Sequence, residues 1–199
     1  MFGKRKWGIH PNTHKTPTDG KAIENGKLPQ KVVIPVSQHI GAASKPIVKK
    51  GDEVKKGQLI AEGCGPVSSN IHATISGKVT SVADQPHPIM GRCLAVTIES
   101  DGKDEWTEDV LTKRDWQQLK GEEIICIIKD AGIVGLGGAT FPTYVKLCPP
   151  KECSIDTLII NGAECEPYLT SDHRMMLEYT ERLATGILIL KKVLNVKNV

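Results

Sequence analysis

Two polar stretches hold the residues of this chain whose types and spacing suit chemistry. The first is Gly135-Leu136-Gly137-Gly138-Ala139-Thr140-Phe141-Pro142-Thr143, followed shortly by Lys146. A run so rich in glycine leaves main-chain amides open to the close approach of a ligand, an anionic one above all. The second is Asn161-Gly162-Ala163-Glu164-Cys165-Glu166-Pro167, an amide and two carboxylates on one short loop. It follows Thr157-Leu158-Ile159-Ile160, an apolar run that reads as a short buried strand. A polar loop leaving such a strand is where open α/β sheets take their ligands. The glycines follow a helical stretch instead of a strand, so they do not form a dinucleotide fingerprint, and no Gly-Lys-Ser/Thr completes a phosphate loop. Taken alone, the two stretches read first as a plain turn and a solvated acidic loop.

Nothing in the chain points to nucleophilic or acid–base catalysis. Ser171 and His173 are neighbours in sequence without a residue to orient them. The cysteines at 64, 93, 126, 148, 153 and 165 include no C-x-x-C pair, so neither a zinc nor an iron–sulfur ligand set is expected. His10 and His14 are spaced as helical neighbours in a segment with no helical pattern, and no metal site is expected there. The chemistry these residues suit is that of a bound cofactor, for which a protein supplies binding and electrostatics.

Both stretches need elements to position them. Residues 1–30, rich in Lys, Pro, Thr and Gly, read as an extended arm anchored by Trp7, Ile9 and Pro11. Residues 31–100 alternate short β-branched runs with turn signals. The runs are Val32–Val36, Pro46–Val48, Leu59–Ile60, Ile71–Ile75, Lys78–Val82 and Leu94–Ile98, which predicts a small barrel or sandwich. Residues 101–120 are charged and read as a linker with one helical turn. From Gly121 the period changes. Ile124, Ile125, Ile127 and Ile128 predict a helix opening on Glu122-Glu123 and ending at Gly132. A helical turn over Thr143–Leu147, a strand over Asp156–Ile160, and a helix capped by Thr170 or Ser171 and carrying Leu183, Ile187, Leu190 and Leu194 follow the loop. Residues 121–199 thus read as an α/β layer.

Charge is uneven. Residues 1–60 carry 12 Lys/Arg against 4 Asp/Glu, and the rest 14 against 19, within a net +3 that is too small to argue for nucleic acid. A basic first part suits an acidic partner, anionic lipid headgroups or simply a solvated surface. No apolar run approaches the roughly 20 residues of a membrane span, and MFGKRKWGIHP lacks the apolar core of a secretory signal. The expectation is a chain kept in the cytoplasm that reaches a membrane only by docking on embedded partners.

GLGGATFPTYVKL, followed by LIINGAECEPYLTSDHRMM, resembles the RnfC subunit of the Rnf electron-transport complexes, which are ion-translocating oxidoreductases. It is more distantly similar to the NADH-binding flavoprotein subunit of respiratory complex I. GIHP and VVIPVSQHIGAASKPIVKKGDEVKKGQLIAE extend the resemblance over nearly the whole chain. VKKGDEVKKGQLIAE with IHATISGKVTSV also resembles the hammerhead domain of lipoyl and biotinyl carriers. The hairpin tip that presents the modified lysine in those carriers corresponds to Gly63–Asn70, which has no lysine, so carrier chemistry is not expected.

The resemblance implies an α+β, multi-domain fold: a barrel-sandwich hybrid followed by the start of an α/β, Rossmann-like FMN/NADH-binding domain. It also implies site roles. Gly135, Gly137 and Gly138 would lie against FMN, Lys146 would face the flavin or its phosphate, and Asn161 and Glu164 would hydrogen-bond the flavin side. Phe141 would stack on the adenine of NADH, and Glu166 would receive the ribose hydroxyls and favour NADH over NADPH. Three positions depart from the distant flavoprotein pattern: Leu136 replaces an arginine, Ala163 an aspartate and Tyr168 a glycine. The resemblance further implies 4Fe-4S clusters in a region beyond residue 199 and other subunits of a membrane-embedded complex as partners. The expected location is the cytoplasmic face of the membrane. A second reading stands beside this one, in which the chain is a non-catalytic docking module of such a complex.

Overall fold

The computed structural model describes residues 11–150 and 152–199. Trp7, Ile9 and His10 lie outside them. Among the described residues, seven strands form two sheets. The larger contains β1 (Lys31–Pro35), β7 (Gly91–Ser100), β6 (Gly77–His87) and β3 (Glu53–Val54), in that order; the smaller contains β2 (Lys45–Pro46), β4 (Leu59–Glu62) and β5 (Ile71–His72). The ladders between these strands are antiparallel, with Val32 opposite Ile98 and Ile34 opposite Val96.

Ile34, Val54, Ile60, Ile71, Ile75, Val79, Val96 and Ile98 interdigitate between the sheets. Ile60, Val79, Val96 and Ile98 are wholly buried. Each fully buried aliphatic side chain of this kind contributes about 1.5–3 kcal/mol. With few aromatics available, β-branched residues fill this core. Two expected strands are shorter than their apolar runs. Past His72 the chain leaves its ladder: Ala73 N–H donates to Gln58 and Gly57 N–H to Ala73. The strand Glu53–Val54 is too short to show a period. The β6–β7 hairpin is longer than expected because its polar end, Asp84–His87, stays paired beyond the core.

The first part of the expected linker belongs to the barrel. Lys56 N–H donates to Glu105 at 2.8 Å and Thr107 N–H to Lys56 at 2.9 Å. The Lys56 ammonium binds Asp104 at 2.6 Å and lies 4.8 Å from the Trp106 ring centre. Helix α1 (Glu108–Leu111) is the single expected turn.

Four further helices follow among the described residues. In α2 (Gly121–Asp130), Glu123 reaches back to accept the Lys120 amide at 2.7 Å, which satisfies an otherwise orphaned donor. Ile124 and Ile128 of α2 pack with Leu147, Tyr144 and the face of α5 (Thr180–Leu194) that carries Ile189, Leu190 and Val193. Between them lie α3 (Thr143–Lys146) and α4 (Ser171–Glu178). The helix expected from 170 to the end is two helices, broken where Tyr179 leaves helical geometry at φ −123° and ψ 33°. The expected buried strand at Asp156–Ile160 is also corrected. Thr157 makes one parallel bridge, to Asn198, and Ile159 is 83% exposed. An apolar run becomes a buried strand only with paired neighbours and a covering layer. Among the described residues its one neighbour is the segment after α5.

Candidate functional site

The glycine-rich loop is closed at its base. Gly135 N–H donates to Phe141 at 2.8 Å, Thr143 N–H to Ile133 at 2.9 Å, and Thr140 N–H to Gly137 at 3.0 Å. Leu136 through Ala139 therefore project as a tip, with Leu136 95% exposed. A side chain at Gly137 or Gly138 would meet nothing within 4 Å, so a ligand can reach the main chain there. Among the described residues neither amide donates a hydrogen bond. Lys146 leans back from α3 until its ammonium stands 2.9 Å from where a Cβ on Gly135 would be. Gly135, Phe141 and Lys146 are thus brought together at the closed base of the loop, and the open backbone lies at its tip.

The barrel holds this loop. Ile40 N–H donates to Ala139 at 3.2 Å, and the Thr140 hydroxyl to Gln38 at 2.8 Å. Thr140 sits in the left-handed region at φ 45°, a conformation that a β-branched residue adopts only where its surroundings impose it. Behind it, His39 is 8% exposed and faces the Ile40 carbonyl through Nδ1, so Nδ1 carries the proton and Nε2 accepts the Ser69 amide at 3.1 Å. The Tyr144 hydroxyl donates to Pro66 at 3.0 Å and Asn70 Nδ2 to Asp130 at 3.2 Å. Burial at this joint pushes the His72 imidazole below its usual value, partly offset by a main-chain hydrogen bond to Asp130.

In the acidic loop, Asn161 Oδ1 accepts its own loop's Ala163 amide at 2.9 Å. Glu164 Oε1 accepts the amides of Asp172 at 2.9 Å and His173 at 3.1 Å. That carboxylate, and not Thr170 or Ser171, caps α4; the Thr170 hydroxyl is turned to Thr18 at 3.0 Å. A negative charge at this end also suits the helix dipole. Among the described residues Glu164 Oε2 accepts no hydrogen bond. Glu166 is exposed and makes no hydrogen bond among the described residues. No hydrogen bond among the described residues joins the two loops, and the principal cavities are lined by none of the eight expected site residues. Sequence reasoning missed Gln38 and Ile40, which reach the loop across separations of up to 102 residues, and Tyr144, which follows the loop and reaches Pro66 on the barrel; such long separations leave no local pattern.

The open amides of Gly137 and Gly138, on a loop whose base at Gly135 is approached by the Lys146 ammonium, fit an anionic, phosphate-bearing group. A two-sheet barrel with no lysine at its carrier-type tip, hydrogen-bonded to a helical unit that bears this loop, defines a barrel-sandwich module joined to a cofactor-binding unit. The RnfC barrel sandwich hybrid domain matches residues 4–103, and the Nuo51 FMN-binding domain matches residues 128–199. The chain belongs to the RnfC family. It is 55% identical over 197 residues to the C subunit of the proton-translocating ferredoxin:NAD(+) oxidoreductase complex of Clostridium ljungdahlii, covering 99% of this chain and 43% of that protein. It is 44% identical over 195 residues to the C subunit of the Na(+)-translocating ferredoxin:NAD(+) oxidoreductase complex of Acetobacterium woodii, covering 98% and 44%. It is 48% identical over 194 residues to the C subunit of the ion-translocating oxidoreductase complex of Rhodobacter capsulatus, covering 96% and 37%. The chain therefore spans less than half the length of these relatives. No helix among the described residues is long and apolar enough to cross a membrane.

Proposed function

We propose that this chain is the FMN- and NAD(H)-binding part of a peripheral subunit in an ion-translocating ferredoxin–NAD oxidoreductase. The observation that carries the reading is the coincidence of the flavin-domain match over residues 128–199 with a glycine loop that is open at Gly137 and Gly138 and approached by Lys146 at Gly135. FMN, when bound, exchanges a hydride with NAD(H) and single electrons with one-electron carriers. Gly135, Gly137 and Gly138 present main chain to the flavin, and Lys146 offsets the charge of its phosphate. Asn161 and the free oxygen of Glu164 orient the flavin edge. Phe141 offers an apolar face to the adenine. Glu166 accepts ribose hydroxyls and repels a 2′-phosphate, favouring NADH over NADPH. The 4Fe-4S clusters belong to sequence beyond residue 199. The subunit sits on the cytoplasmic face of the membrane, docked on embedded subunits through the barrel and the basic first part.

A second reading, a docking module without cofactor, is favoured by the absence of any hydrogen bond joining the two loops among the described residues. FMN and NADH binding to the full-length subunit separates the two, with Gly137→Val and Glu166→Gln beside wild type. Stoichiometric FMN that is lost in Gly137→Val, together with weakened NADH binding in Glu166→Gln, supports the cofactor reading. A folded wild type that takes up neither ligand overturns the cofactor reading and points to the docking one.

A further inference from the structure

The arm is not an idle extension. Between residues 13 and 23 it lies along the acidic loop and α4. Tyr168 N–H donates to the Thr13 carbonyl at 2.8 Å, and the His14 and Tyr168 rings stack at 5.0 Å, 9° from parallel. Lys15 Nζ donates to the Leu169 carbonyl at 2.9 Å, and the Thr170 hydroxyl meets Thr18 at 3.0 Å. Arg174 donates to the Asp19 carbonyl at 3.1 Å, and Ile23 N–H to the Glu178 carboxylate at 3.0 Å. The stacked pair is unusual in its backbone: His14 has φ 49° and Tyr168 φ 69°. Residues with side chains rarely adopt that left-handed region unless their surroundings hold them there. Tyr168 follows Glu166 by two positions, with only Pro167 between. On the other side of the carboxylates, Glu164 is tied to the first turn of α4, which the arm also grips.

We propose that residues 13–23 are a positioning strap for the loop that carries Glu164 and Glu166, so that NADH binding requires the N-terminal arm. The proposal rests on the reading that Glu166 meets the nucleotide. The strap holds Tyr168 in its left-handed turn and so fixes where the preceding carboxylate points. Without it, Tyr168 relaxes to ordinary backbone and Glu166 turns away from the ligand. The loop thus has two supports: α4 from behind, and the arm from a segment some 150 residues distant in sequence.

The test uses the full-length subunit carrying Lys15→Met with Thr18→Val, and separately Tyr168→Gly, read by amide hydrogen exchange and NADH titration. In the double variant, exchange over 164–173 and the dissociation constant for NADH should each rise about tenfold, with barrel amides unchanged. Tyr168→Gly, which adopts the turn freely but loses the stack, should show a smaller rise in both. Adding the arm substitutions to Glu166→Gln should weaken NADH no further, a non-additivity that general loss of stability would not produce. Unchanged exchange over 164–173 with NADH binding intact overturns the strap alone. Faster exchange with wild-type NADH affinity overturns its positioning role. A wild type that binds no NADH overturns the functional reading and the strap's purpose with it.

Discussion

At the scale of single residues, Glu164 changes meaning between sequence and structure. In sequence it is one of two loop carboxylates available to a ligand. In the fold its Oε1 accepts two amides at the start of α4, where no hydroxyl caps the helix. Charge-assisted caps of this kind contribute about 1 kcal/mol. Glu164→Gln keeps the shape and one acceptor but loses the charge. It should destabilise α4 by about 0.5–1 kcal/mol, read as faster exchange at the Asp172 and His173 amides with the barrel unaffected. Glu166, two positions on and free of partners among the described residues, should show no such local effect when changed to Gln. That contrast separates a carboxylate that builds the loop from one exposed on it.

At the scale of elements, the arm and α4 are coupled through Glu178. The Ile23 amide holds its carboxyl below the usual glutamate range, opposed by partial burial and reinforced by Arg174 at 2.6 Å. A lowered folded-state pKa means that its contribution is fully present above the ordinary glutamate range and is lost as pH falls through the lowered value. Docking of the arm should therefore hold at neutral pH and loosen in acid. Limited proteolysis of the 11–30 segment across a pH series should show cleavage rising only below the usual carboxylate range. Glu178→Gln should raise cleavage at neutral pH and flatten that dependence. Other elements are legible from their own residues. The run Ile124 to Ile128 after Glu122-Glu123 is a helix because spacing and first-turn charge agree. The segment Asp156–Ile160 reads as a strand in sequence because the short apolar run Thr157–Ile160 is strand-like by composition alone, while its state depends on what pairs with it.

At the scale of the whole molecule, the barrel and the helical unit meet at one joint, and Gly132 sits in it. Its φ is 68°, and a Cβ there would run into the Asn70 carbonyl. Gly132→Ala should cost about 1–3 kcal/mol in urea unfolding, since neither backbone can give way without opening the joint. Tyr144→Phe removes only the hydroxyl bond to Pro66 and should cost about 1 kcal/mol. The barrel core, the α2 helix, the openness of the glycine loop at Gly137 and Gly138, and the family are all written in the linear order of residues. Each follows from period, turn chemistry or a long contiguous motif, which are local properties of a chain. Three features belong to the folded chain alone: the Thr140 turn pinned by Gln38 and Ile40, Lys146 folded back over Gly135, and the arm laid on the acidic loop. Hydrogen bonds between residues a hundred or more positions apart impose no pattern on the intervening sequence, and they become readable only when packing brings their partners within reach.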